Sequence, residues 1–248
     1  MDRDTAQQLS SLTGDFYRRV GESFSRTRGS AWPGWTRILD FLHPDQDGRM
    51  EVLDLACGNL RFERELFKCV PAAQAWAVDS CDELAQTDDA RIRYQHLDLA
   101  ELLLEEGIAL ASLEAPPCDA AVCLAFMHHL PLPEQRARLL ELLVRMVRPD
   151  GIVAVSFWQF AHDERLLGKA RAATEAARMR YDLSGLGSDD YLMGWQDEGD
   201  AFRFCHHFPD SEIDALLKDV ASYARVMDRY RADGASGDLN QYAILEVR

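Results

Sequence analysis

The apolar positions along the chain change period several times, and each change marks an element. Over 4–27, Leu9, Leu12, Phe16 and Val20 recur at helical spacing. Trp32-Pro33-Gly34-Trp35 predicts a turn into a second helix over 34–42, with Pro33 well placed at its start. Beyond a polar loop at 44–48, short apolar runs alternate with amphipathic segments. They predict strands at 50–56, 73–78, 91–96, 119–124 and 152–158, and helices at 59–68, 81–87, 99–106 and 133–147. The 119–124 run is apolar almost throughout, as a strand buried on both faces requires. This rhythm predicts an α/β fold with a mostly parallel sheet and helices on both faces.

The last third reads differently. Residues 161–180 are rich in Ala and Arg and predict a helix. Residues 182–200 hold four Gly and six acidic residues without Lys or Arg, and predict an irregular loop, a candidate lid. A strand is predicted over 201–207, placing one of His206 and His207 inward and the other outward. Ser211 to Asp214 suggests a capping box for a helix over 211–219. Strands near 222–230 and 240–247 form a closing antiparallel pair. We therefore expect one domain over 1–248: an N-terminal helical cap (1–45), a core (50–160), a helix with candidate lid (161–200) and a C-terminal part of the sheet (201–248).

Composition narrows the function. The hydrophobic fraction is 47%, ample for a core, and no apolar run is long enough to span a membrane. Six cysteines lack a Cys-x-x-Cys pair or a His at zinc-ligand spacing, so no metal site is expected. Buried free thiols suit a reducing, cytoplasmic setting. The net charge of −15 argues against broad nucleic-acid binding, DNA included. The charge is nonetheless uneven: residues 16–39 hold five Arg and one Glu, and residues 165–181 hold five Lys/Arg and one Glu.

The candidate chemistry sits at strand ends. Glu51-Val52-Leu53-Asp54-Leu55-Ala56-Cys57-Gly58-Asn59 reads as strand, turn and helix start, a relaxed glycine-rich turn with Ala56 and Leu60 where glycines would stand. Such turns bring backbone N–H groups close to a ligand. Asp79 and Asp98 close the next two strands, at the edge of an open sheet where ligands bind. Asp79 suits ribose hydroxyls and Asp98 an adenine amino group. The series favours a nucleoside ligand, either a dinucleotide or S-adenosylmethionine. The incomplete glycine series fits the latter, which carries no pyrophosphate.

These segments resemble the class I S-adenosylmethionine-dependent methyltransferases, over residues 50–160. The matching stretches are 52–59, Ala77-Val78-Asp79-Ser80, His96-Leu97-Asp98-Leu99, 118–130 and Arg148-Pro149-Asp150-Gly151-Ile152. The resemblance implies a Rossmann-like sheet of seven strands, the last antiparallel. It implies that Asp54, Ala56, Gly58 and Asn59 surround the methionine part of the cofactor and Asp79 with Ser80 its ribose. Asp98 and Leu99 would flank the adenine, and Leu124 and Phe126 the methyl end. A thinner resemblance links 24–33, 125–130 and the tail from Arg203 to Tyr242 with the wobble-uridine tRNA methyltransferases that esterify a carboxymethyl group. It implies that Arg28 and Trp32 fold over the cofactor, and that an accessory protein supplies affinity for tRNA.

The acceptor stays open between a modified tRNA and a small molecule. A carboxylate nucleophile would need a cation to place it, with Arg26, Arg28 and the 165–180 run as candidates. A hydroxyl or amine would need a base, and His128 and His129 are the catalytic candidates. A non-catalytic cofactor-binding protein and a dinucleotide oxidoreductase are the alternatives.

Overall fold

The computed structural model describes residues 1–27, 29–105, 109–196 and 198–248. The strands of the main sheet are β1 (Arg49–Leu55), β2 (Ala72–Asp79), β3 (Ile92–His96), β4 (Cys118–Cys123), β5 (Val147–Trp158), β8 (Ala224–Ala232) and β9 (Asn240–Val247). Their spatial order is β3-β2-β1-β4-β5-β9-β8. β9 runs antiparallel to both β5 and β8, and the other pairs are parallel. The expected seven-stranded sheet with an antiparallel last strand is therefore present. The order reverses between β1 and β4, where the carboxyl ends of these strands open a crevice.

Alternation along β1 divides the core. Leu53 and Leu55 face a cluster with α4 (Leu99–Leu102), α5 (Pro133–Arg145) and α7 (Asp210–Asp219). Met50 and Val52 face the opposite cluster, with α2 (Pro33–Leu39) and α3 (Arg61–Cys69). Leu139, Leu140 and Leu143 of α5 are fully buried, each contributing about 1.5–3 kcal/mol relative to exposure.

A roof stands over the crevice. It comprises α1 (Arg3–Arg26), α6 (Glu164–Arg178) and a two-stranded antiparallel sheet of β6 (Asp190–Trp195) and β7 (Glu198–His206). Leu9 of α1 packs with Ala177 of α6 and with Leu192, Phe202 and Phe204 of the hairpin. Thr13 pins α1 to β7: its hydroxyl accepts from the Phe204 N–H at 3.0 Å and donates to the Leu9 carbonyl at 3.0 Å.

Several expectations are corrected. The 182–200 stretch is no simple loop, because Leu192 and Met193 bury their side chains and pair the chain with β7. Residues 81–87 form turns rather than a helix: the Asp79 carboxylate takes the Cys81 N–H at 2.9 Å and bends the chain. The helix expected over 99–106 is α4, a single turn; residue 106 lies outside the described residues. Pro209, not Ser211, caps α7, with no side-chain cap bond. The turn at 148–151 is absorbed into β5, where Asp150 takes φ +67° and the register against β4 shifts. Gly151 is needed there because an added Cβ would lie 2.5 Å from the Asp119 carbonyl oxygen. His206 and His207 are both buried rather than split between two faces. His206 ends β7 between Asp190, at 2.7 Å, and Glu212, at 2.8 Å. All six cysteines are free thiols, and only Cys69 is exposed. No helix among the described residues is long and apolar enough to cross a membrane.

Candidate active site

The crevice at the switch point continues under the roof as one cleft. Its floor is the turn after β1. Ala56 and Leu60 adopt φ +64° and +58°, the left-handed region that glycine normally fills. The two departures from glycine therefore keep glycine's backbone shape, at a cost of about 1–2 kcal/mol per residue. Leu60 offsets this by burying its side chain with Cys57, Ala77 and Ala85. Gly58 has φ +54°, and a Cβ there would meet nothing within 4 Å. The face of the turn is thus open to a ligand.

Three carboxylates line this floor: Asp54, Asp79 and Asp98. Asp79 accepts from the Gly58 N–H at 2.8 Å through Oδ2 and from the Cys81 N–H at 2.9 Å through Oδ1. Burial raises its pKa, although backbone N–H groups oppose the shift. Asp98 caps α4 through Oδ1, accepting from the Ala100 and Glu101 N–H groups at 3.0 Å each. Asp54 is buried against Glu63 of α3, and burial followed by the Glu63 charge raises its pKa well above the carboxylate range. Asp54 Oδ1 and both Glu63 oxygens find no donor among the described residues. Two facing buried carboxyls without donors must share a proton.

Of the remaining sequence candidates, Ala56, Asn59, Ser80, Leu99, Leu124, Phe126 and Trp32 all line the cleft. Asn59 donates to Ser25 at 2.6 Å, tying the last turn of α1 to the turn after β1. Arg28 lies outside the described residues. An open turn, acid groups for ribose and adenine donors, and an apolar Leu124–Phe126 end together fit S-adenosylmethionine. This nucleoside bears hydroxyls, amines and a sulfonium but no phosphate.

Past Phe126, a single turn at Met127–His129 carries both histidines under the roof. His129 donates from Nδ1 to the Phe204 carbonyl at 2.7 Å, and its Nε2 lies 2.9 Å from the Tyr17 hydroxyl. Burial, and then the Arg203 charge, push its pKa down to about 3, against the pull of that carbonyl. His128 packs between His129 and Trp158 in tilted contacts, ring centroids 4.1 and 4.8 Å away. His128, His129 and Cys205 bring their ligand atoms within 4.8 Å of one another. The Arg203 cation beside them and the engagement of both His129 nitrogens disfavour a metal there.

Arg203 was not evident in the sequence. It sits on β7, lines the cleft and is only 5% exposed. Its guanidinium lies over Phe16, at 4.7 Å, and Phe24, at 5.0 Å. Nη1 is buried without a hydrogen-bond partner, and Arg203 makes no ion pair among the described residues. Arg26 pairs instead with Glu22 at 3.2 Å on the surface, and the basic residues of 165–180 are exposed outside the cleft.

Comparison with known proteins supports the same assignment. A family model described as a methyltransferase domain matches residues 28–220. The tRNA (carboxymethyluridine(34)-5-O)-methyltransferase ALKBH8 of Mus musculus is 28% identical over 192 residues, 74% of this chain and 26% of that protein. The tRNA (carboxymethyluridine(34)-5-O)-methyltransferase of Arabidopsis thaliana is 27% identical over 154 residues, 61% of this chain and 33% of its own length. The chain thus matches about a quarter to a third of these relatives. Among solved structures, a Burkholderia thailandensis 1,6-didemethyltoxoflavin-N1-methyltransferase, with 1,6-didemethyltoxoflavin and S-adenosylhomocysteine bound, superimposes with a TM-score of 0.59 at 17% identity. That match covers 98% of this chain and 90% of that one. The chain therefore belongs to the methyltransferase-domain family.

Proposed function

We propose that the acceptor is a carboxylate and the product a methyl ester. The observation that carries this reading is Arg203, a buried guanidinium without an ion-pair partner, facing the cleft beyond Phe126. An unpaired buried cation is costly, and a carboxylate that enters the cleft relieves that cost by a charge-assisted fork. Bound S-adenosylmethionine would supply an electrophilic methyl group, and a carboxylate acceptor, already ionised, would need no base from the protein. Arg203 orients the acceptor, Phe126 and Leu124 exclude water from the methyl end, and neutral His129 holds the wall around Arg203. This is catalysis by positioning and desolvation.

The acceptor most consistent with the relatives' names is a carboxymethyl group on a tRNA wobble uridine. With a net charge of −15, tRNA affinity would come from an accessory protein or from the exposed basic face of α6. The same charge favours a second reading, a small free carboxylic acid. Radiolabelled methyl transfer tests both, with tRNA bearing free carboxymethyluridine and a panel of small carboxylic acids offered separately. Label released as methanol by mild alkali is expected. Alkali-stable label on any acceptor would overturn the ester reading.

A further inference from the structure

We infer that Arg61 holds the α-carboxylate of S-adenosylmethionine. The inference concerns the cofactor and is independent of the acceptor.

Arg61 is the first residue of α3 and follows Leu60, so its side chain starts from the turn itself. Three contacts fix it. Nε donates to Asn59 Oδ1 at 3.1 Å, Nη1 donates to the Ser30 carbonyl at 3.0 Å, and the guanidinium lies over Trp35 and Trp32 at 5.1 and 5.6 Å. Its partners are thus a neutral amide, a carbonyl and two rings. It makes no ion pair among the described residues. Burial and then Arg64 lower its pKa, and no carboxylate counters them.

The remaining charges of the cleft locate what Arg61 lacks. The floor presents Asp54, Asp79 and Asp98, which suit the donors and the cationic centre of the cofactor. Asp79 and Asp98 would repel its single anionic group. With the ribose at Asp79 and the methyl end at Leu124–Phe126, the amino-acid end lies over the turn. The cleft's cationic side chains among the described residues are Arg18, Arg61 and Arg203. Arg18 belongs to the roof and pairs with Asp15 at 2.5 Å. Arg203 lies between Phe16 and Phe24 at the acceptor end. Arg61 alone of the three stands on the turn, and a guanidinium takes a carboxylate with both charge and directed N–H bonds. The N-terminus of α3 adds a favourable dipole.

The test is calorimetric and needs no turnover. Affinities for S-adenosylmethionine and decarboxylated S-adenosylmethionine, which lacks only the carboxylate, are measured on the wild-type protein and on R61M and R61K. The wild type is expected to prefer the carboxylated ligand by about tenfold or more. R61M should lose that preference by weakening the carboxylated ligand alone, and R61K should keep part of it. Absence of a preference in the wild type overturns the inference without recourse to any variant. An equal loss for both ligands in R61M would reduce Arg61 to a tie for residues 25–32. A preference that survives R61M but disappears in R28M would give the role to Arg28.

Discussion

The hydroxyl of Tyr17 lies 2.9 Å from Nε2 of His129, and the Phe204 carbonyl oxygen lies 2.7 Å from Nδ1. A carbonyl can only accept, so Nδ1 carries the proton and Nε2 accepts from tyrosine. The ring is neutral, fixed in one tautomer and satisfied on both sides. With its pKa pushed down to about 3, it has little capacity to take a proton from an acceptor. We expect kcat to be flat between about pH 6 and about pH 8, because a carboxylate acceptor is already ionised there. A descending limb near the ordinary histidine pKa would show that His129 or His128 acts as a base after all.

Arg203 should separate binding from stability. R203M is expected to raise the KM for the acceptor or lower kcat by about a hundredfold, since a charge-assisted fork contributes roughly 1.5–3 kcal/mol. Affinity for S-adenosylhomocysteine should not change. Thermal stability should hold or increase, because an unpaired buried charge is removed. Unaltered turnover in R203M would leave the buried cation without a role in acceptor binding.

The turn and the proposed ribose contact at Asp79 are tested by a pair of variants. D79A is expected to weaken cofactor affinity at least tenfold by calorimetry. G58A should keep the fold, since a Cβ there meets nothing within 4 Å, at a cost of about 1–2 kcal/mol for the left-handed backbone. It should also lose cofactor affinity, because the methyl group enters the space above the turn. Normal cofactor binding by G58A would mean that the turn does not touch the ligand.

Glu63 gives stability a pH dependence of predictable sign. Burial raises its pKa to about 7 in the fold, although neighbouring groups including Arg64 oppose it. The ordinary glutamate value is about 4.3, so between these values the folded state binds more protons than the unfolded one. Stability therefore falls as pH rises through that window. E63Q should lessen that loss, with buried Asp54 keeping its own share, and should be more stable than wild type at pH 8, read by urea unfolding at pH 5 and pH 8. Parallel pH profiles for the two proteins would show that the proton resides elsewhere.

Much of the fold was legible because burial dictated the pattern. β4 is apolar from Ala120 to Cys123 because it is covered on both faces, and Asp54, Asp79 and Asp98 stand in series because each lies at or just past a strand end at the crevice. What was illegible depends on contacts far apart in the chain. Arg203 on a strand resembles any surface arginine until α1 folds over it and buries it against Phe16 and Phe24. Glu63 reads as one polar position of an amphipathic helix until Asp54 is placed opposite. β6 was hidden among glycines and acids, because Leu192 and Met193 are its only fully buried residues, whereas the apolar run around Phe202 and Phe204 made β7 legible. Residues 81–87 fail to form a helix because the Asp79 carboxylate captures the Cys81 N–H.

The roof joins opposite ends of the chain. Tyr17 and Phe24 arrive with α1, and Arg203 arrives with β7, near residue 200. The wall around Arg203 is therefore the part of the cleft made by long-range closure, whereas the floor at Asp54, Gly58 and Asp79 is built within the β1–β2 unit.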